Sequence, residues 1–77
     1  MMTVYIDGIV VQGRPRDLVA LYAAPAMRHK PQSLSAYKRD VQRRAAIVFK
    51  ERIRVWPNKT FLRDLARLGE IQILQEA

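Results

Sequence analysis

The chain has 77 residues, which suffices for a single small domain over residues 1–77 with a thin core. It contains no cysteine, and this excludes disulfide bonds and thiolate metal sites. Fourteen Lys and Arg residues against seven Asp and Glu residues give a net charge of +7, which favours a polyanionic partner because basic side chains bound to phosphates release condensed counterions.

A β-hairpin is predicted at residues 3–13, TVYIDGIVVQG. Asp7-Gly8 separates two runs rich in β-branched residues, and this dipeptide favours a two-residue turn whose central residues both have positive φ. Pairing across that turn places four aliphatic side chains on one face, which we expect to meet the core: Val4, Ile6, Ile9 and Val11. Tyr5 lies on the other face, where it is either exposed or part of a second packed layer.

A short helix is predicted next, beginning at Pro15 and ending at Pro25. Its apolar positions are Leu18, Val19, Leu21 and Tyr22. The following stretch, PAMRHKPQ at residues 25–32, is predicted to be a loop because it has two prolines and no periodicity. His29 in this loop has no acid nearby in the sequence, so we expect it to be a surface residue without a catalytic or metal-binding role.

The longest helix is predicted over residues 34–56, with Ser33 or Ser35 as its N-cap and Pro57 beyond its end. At about 100° per residue, its apolar side chains fall on one broad side: Leu34, Tyr37, Val41, Ala45, Val48, Phe49, Val55 and Trp56. We therefore expect Val41, Val48 and Phe49 to be buried. For Trp56, core packing is favoured over stacking on a nucleic-acid base.

Four basic residues fall within about 60° of one another on the opposite side of this predicted helix: Arg39, Arg43, Lys50 and Arg54. Like charges four residues apart cost a few tenths of a kcal/mol per pair, and a face selected only for solubility would more readily alternate in sign. The pattern fits a phosphate-binding face and also a solvated face. Arg52 instead projects into the apolar side, so either the helix frays there or the guanidinium reaches an acid such as Asp64 or Glu70.

The C-terminal part predicts a third helix at residues 61–68 and then a strand. Thr60 suits the helix N-cap, and Gly69 stands where a helix often ends in a left-handed conformation. Residues 71–74 alternate in polarity as a strand does, although Glu, Gln and Leu also favour a continued helix. The predicted fold class is α+β: the N-terminal hairpin and a C-terminal strand form a small antiparallel sheet, packed against one long and two short helices.

Two functional hypotheses follow. The first is a small basic nucleic-acid-binding module, accessory or regulatory, in which Arg39, Arg43, Lys50 and Arg54 contact phosphates. The alternative is a protein-interaction module, an adaptor or inhibitor, that engages an acidic protein surface. The sequence leaves DNA and RNA undistinguished and is compatible with a homodimer.

Several other classes of function are disfavoured by the motifs that the chain lacks. It has no HExxH, GxSxG, Walker A or dinucleotide-binding motif, so we expect no enzyme activity, catalytic residue, cofactor or metal. It also has neither an apolar stretch of about 20 residues nor a signal-peptide pattern. We therefore expect a cytoplasmic protein that does not enter a membrane.

Overall fold

The fold is a three-stranded antiparallel sheet packed against three helices, in a computed structural model that describes residues 1–76. The elements in chain order are β1 (Met2–Ile6), β2 (Ile9–Gly13), α1 (Pro15–His29), α2 (Leu34–Val48), α3 (Asn58–Arg67) and β3 (Gln72–Glu76). In the sheet, β1 lies between β2 and β3. The predicted α+β class and the third strand are therefore confirmed, although α1 and α2 are equally long, at 15 residues each.

The hairpin has the predicted turn and register. Asp7 and Gly8 both have positive φ, and Ile6 pairs with Ile9 and Val4 with Val11. Val4 and Ile6 are buried, and Val11 packs against the core. Ile9 is exposed, so its predicted burial is wrong: it lies beside the turn in an edge strand, at the margin of the sheet.

Helix α1 begins at Pro15 as predicted but continues through Pro25 to His29. The predicted loop at residues 25–32 is therefore helical over most of its length. An internal proline removes one helical hydrogen bond. The helix continues because Ala26 and Met27, beyond the proline, pack against the core.

Helix α2 ends at Val48 rather than at Trp56, so the prediction of a helix over residues 34–56 is wrong. Lys50 adopts a left-handed conformation with φ of 55°, and residues 49–57, here named the α2–α3 segment, contain no regular secondary structure. Val41 is buried as predicted. Val48 and Phe49, however, are 69% and 44% exposed because the chain leaves the helix at this point.

Helix α3 supplies the centre of the core. Its Phe61, Leu62 and Leu65 side chains are fully buried. The other buried apolar residues are Met2, Val4, Ile6, Leu18, Val19, Ala23, Tyr37, Val41, Ala45, Ile53 and Ile71. The helix begins at Asn58, before the predicted Thr60, while Gly69 has the predicted positive φ. None of the helices in residues 1–76 combines the length and the hydropathy that crossing a membrane requires.

Candidate nucleic-acid interface

A groove of about 700 Å³ lies between α2, the α2–α3 segment and α3. Four arginines reach it from these three elements, and we name it the arginine groove: Arg43, Arg52, Arg54 and Arg67. The remaining lining residues are Gln42, Ala46, Ile53 and Asp64. Because Asp64 is the only acid among these lining residues, the lining residues together carry a net positive charge.

The α2–α3 segment is held in place by side chains of the two helices that flank it. Gln42 of α2 donates a hydrogen bond from Nε2 to the carbonyl of Ile53 at 2.9 Å, and the Ile53 side chain is buried. From the other side, Arg67 of α3 donates to the carbonyl of Arg52 at 3.1 Å and forms an ion pair with Glu51 at 3.0 Å. These contacts fix the backbone that carries Arg52 and Arg54.

The buried carboxylate of Asp64 orients Arg54. Its Oδ2 accepts hydrogen bonds from the backbone N–H of Arg54 at 2.8 Å and from Nε at 3.2 Å, while Oδ1 accepts from Nη2 at 3.1 Å. The hydrogen bonds from the Arg54 side chain lower the pKa of Asp64, against the opposing effect of its burial. Asp64 is therefore ionised at neutral pH and holds the guanidinium in one orientation.

Arg54 keeps hydrogen-bonding capacity for a ligand. Its side chain is 70% exposed, and a guanidinium has five N–H donors, of which Asp64 engages Nε and Nη2. The donors of Nη1 are not used in these bonds. An exposed and oriented guanidinium is suited to bind a phosphate oxygen.

The other arginines of the groove differ in their acidic partners. Arg43 pairs with Asp40 of the same helix at 2.6 Å, and Arg67 pairs with Glu51. Arg52 forms no ion pair within residues 1–76. Counting Asp40 and Glu51 together with Asp64, three acids face four arginines, so a positive surplus persists even when every bound acid is included.

The structure brings together only two of the four predicted site residues. Arg43 and Arg54 line the same groove from different elements, whereas Arg39 and Lys50 are exposed but do not line it. Arg39 is one turn before Arg43 on α2. The predicted single line of basic residues along a helix is wrong, because Lys50 and Arg54 lie beyond the end of α2.

Arg52 and Arg67 were not among the predicted site residues. Arg67 could have been included, since it occupies an exposed position of a helix whose presence was predicted, although this helix begins at Asn58 rather than at residue 61. Arg52 was predicted to lie on the apolar side of a helix over residues 34–56, but α2 ends at Val48. Of the two alternatives for Arg52, the loss of helix at this position is therefore confirmed, and the contact with Asp64 is wrong, because Arg54 occupies that carboxylate.

Trp56 lies at the end of the α2–α3 segment and is 71% exposed, so its expected packing in the core is wrong. The ammonium group of Lys38 lies 5.3 Å from the centre of the indole ring. Lys38 itself is buried, donates a hydrogen bond to Oδ1 of Asn58 at 2.7 Å, and has a pKa lowered by this burial. An indole in this position is held by a cation–π contact while most of its surface faces solvent.

A separate apolar cluster lies at the C-terminal end of α2, where Ile47, Val48 and Phe49 are exposed. Val48 and Phe49 also border a cleft of about 240 Å³, whose rim carries Arg44 and Glu70. Apart from this cluster, Tyr5 is exposed on the sheet face, which was one of the two alternatives predicted for it. Exposed apolar clusters of this kind often mark protein contacts.

His29 lies in the last turn of α1 and is exposed. Within residues 1–76, no three His, Asp or Glu side chains come close enough together to hold a metal ion.

Comparison with protein families, with curated proteins and with solved structures finds no significant match for this chain.

Proposed function

We propose that the protein is a small nucleic-acid-binding module whose arginine groove contacts phosphates. The observation that carries this proposal is the convergence of four arginines from three elements on one groove. Clustered guanidinium groups bind the phosphate backbone electrostatically and with directed hydrogen bonds. A charge selected only for solubility has no need of arginines fixed around a common space.

In this proposal the four arginines have different roles. Arg54 is oriented by Asp64 and offers its remaining donors, while Arg52 offers a guanidinium without an acidic partner in residues 1–76. Arg43 and Arg67 border the same space, and Arg39 extends the positive surface along α2. The protein acts as a cytoplasmic binding module without enzyme activity, with an accessory or regulatory role. Either a monomer or a homodimer can present this surface.

The test compares two double variants that each remove two positive charges. Arg43→Gln with Arg52→Gln neutralises one pair in the arginine groove, whereas Arg14→Gln with Arg16→Gln neutralises an exposed pair at the start of α1. We expect the groove variant to lose affinity for DNA and RNA oligonucleotides. The slope of log affinity against log salt should fall by about 1.4 to 1.8, because two phosphate contacts are lost. The control should retain most of the affinity and of the slope.

Fluorescence anisotropy over a salt series measures both quantities, and circular dichroism confirms that each variant is folded. Equal losses of affinity in the two double variants would mean that net charge alone drives binding and that the arginine groove is not a specific binding site. If the parent protein binds neither single-stranded nor duplex nucleic acid at low salt, the proposal is rejected.

A second candidate function is a protein-interaction module that engages an acidic protein surface. The observation that favours it is the exposed cluster of Ile47, Val48 and Phe49, which lies next to Arg43 and Arg44 on α2. Apolar anchors bordered by arginines are typical of protein interfaces. Absence of nucleic-acid binding at low salt would favour this function. Val48→Asp would then weaken binding to the protein partner more than loss of Arg52.

A further inference from the structure

The single tryptophan of the chain is the most exposed large apolar side chain that the structure describes. Leaving an indole in water forgoes the favourable free energy of its burial. We propose that Trp56 is a stacking platform for an unpaired base, so that the nucleic acid bound at the arginine groove is single-stranded. This inference rests on the proposed function and adds the class of nucleic acid to it.

The indole of Trp56 is held by Lys38. The Lys38 ammonium lies over the ring at 5.3 Å, and Lys38 is in turn fixed by burial and by its hydrogen bond to Asn58. With the cation on one face and 71% of the residue exposed, the opposite face of the indole is accessible to a ligand. A side chain that is already held loses less conformational entropy on binding.

Trp56 is close to the arginine groove both along the chain and through its contact with α2. Lys38 and Gln42 are one turn apart on α2, and they hold Trp56 and Ile53 respectively. Four residues correspond to about 6 Å along the helix axis. Along the chain, Trp56 is two residues from Arg54, so their Cα atoms are at most about 7 Å apart. One strand can therefore place a phosphate on Arg54 and a neighbouring base on Trp56.

Such a surface suits a single strand better than a duplex. In a duplex, each base is stacked and paired, so a surface indole has no base face to contact unless a base is extruded. Proteins that bind single strands combine a positively charged groove along the backbone with aromatic side chains on which bases stack. The arginine groove and Trp56 supply these two components next to each other.

The experiment uses Trp56 itself as the probe, because no other tryptophan contributes to the fluorescence. The parent protein is titrated at low salt with oligo(dT), oligo(U) and a duplex of the same length. We expect both single strands to quench the Trp56 fluorescence and to bind more tightly than the duplex. Trp56→Ala lacks the fluorescent probe, so its affinity is measured by the anisotropy of labelled oligonucleotides. This substitution should weaken single-strand binding about 5- to 150-fold, the range of one base stack, and leave duplex binding nearly unchanged.

Two further variants separate stacking from other effects. Trp56→Phe keeps an aromatic face and should retain more affinity for the single strands than Trp56→Ala. Tyr5→Ala removes an exposed aromatic ring from the sheet face and should leave the affinity unchanged. The chosen side chains are exposed, so the variants are expected to fold, and circular dichroism checks this.

The outcomes distinguish the two proposals. The stacking inference is overturned if three results occur together: duplex and single strands bind the parent equally, neither quenches the Trp56 fluorescence, and Trp56→Ala keeps the parental affinity. The proposed nucleic-acid function would then still stand. If neither ligand binds at low salt, both are overturned. If Tyr5→Ala loses the single-strand affinity and Trp56→Ala keeps it, the stacking site is on the sheet and the assignment to Trp56 is wrong.

Discussion

The two phenylalanines of the chain lie in opposite environments. Phe61 is 0% exposed in the first half of α3, and its ring lies 5.9 Å from the Lys38 ammonium. Phe49 is the residue that caps the C-terminal end of α2, with 44% of its surface exposed. The free-energy cost of truncating a side chain depends on how much of its apolar surface is buried. The same Phe-to-Ala substitution at the two positions therefore compares a buried ring with a half-exposed one.

We expect Phe61→Ala to reduce the free energy of unfolding by about 3 to 5 kcal/mol, enough to unfold much of a domain of this size. Phe49→Ala should cost about 1 kcal/mol, because roughly half of its apolar surface already faces water. Urea denaturation followed by circular dichroism measures both changes. Equal losses in the two variants would contradict the different burial of the two rings.

Among the elements, the hairpin depends most directly on its turn. Gly8 has φ of +85°, and a Cβ atom built on it would meet no other atom within 4 Å. Substitution at this position therefore tests backbone conformation without a change in packing. Gly13, at the end of β2, is a suitable control because its added Cβ would make only an ordinary contact of 3.5 Å with Leu18.

Gly8→Ala should destabilise the protein by about 1 to 2 kcal/mol, the conformational cost of a left-handed backbone for an L-residue with a side chain. Gly13→Ala should be close to neutral, or stabilising by up to about 1 kcal/mol, because alanine restricts the unfolded chain. Thermal denaturation of the two variants provides the comparison. A neutral Gly8→Ala would show that the turn is not constrained as described.

At the scale of the whole molecule, the α2–α3 segment joins its two helices mainly through polar contacts. Gln42 holds Ile53 from α2, and Asp64 and Arg67 of α3 hold Arg54 and Arg52. The carboxylate of Asp64 is buried, and its pKa is lower than in an unfolded chain, first because of the Arg54 side-chain hydrogen bonds. A carboxyl group with a lowered pKa stabilises the folded state above its unfolded pKa.

The contribution of Asp64 to the free energy of unfolding should therefore be complete above about pH 4. It should be lost as the pH falls further, through the lower pKa that Asp64 has in the folded state. Asp64→Asn should cost about 1 to 2 kcal/mol at neutral pH, a value reduced by the solvent exposure of Arg54. Below pH 4 the stability of the Asp64→Asn variant should decline less steeply than that of the parent protein. Asp17→Asn, which removes an exposed carboxylate, is the control. Parallel acid profiles for Asp64→Asn and the parent would contradict this role.

The sequence by itself determined the features that depend on local backbone preferences. Asp7-Gly8 specified the turn and register of the hairpin, Pro15 the start of α1, and Gly69 the left-handed residue after α3. Alternation at residues 71–74 favoured a strand, with a continued helix as the alternative, and β3 forms at Gln72–Glu76. These features were predictable because each depends on the allowed φ of a few residues or on a period of two along the chain.

Only the tertiary structure decided where α2 ends, and with it the composition of the site. Residues 49–56 contain no glycine or proline, so nothing local stops the helix. The burial of Ile53 and the hydrogen bonds from Arg54 to Asp64 favour the irregular path instead. Helix propensity differs by less than about 1 kcal/mol among most residues, and such contacts outweigh it. This change of path moved Arg52 and Arg54 into one groove with Arg67 and left Trp56 on the surface.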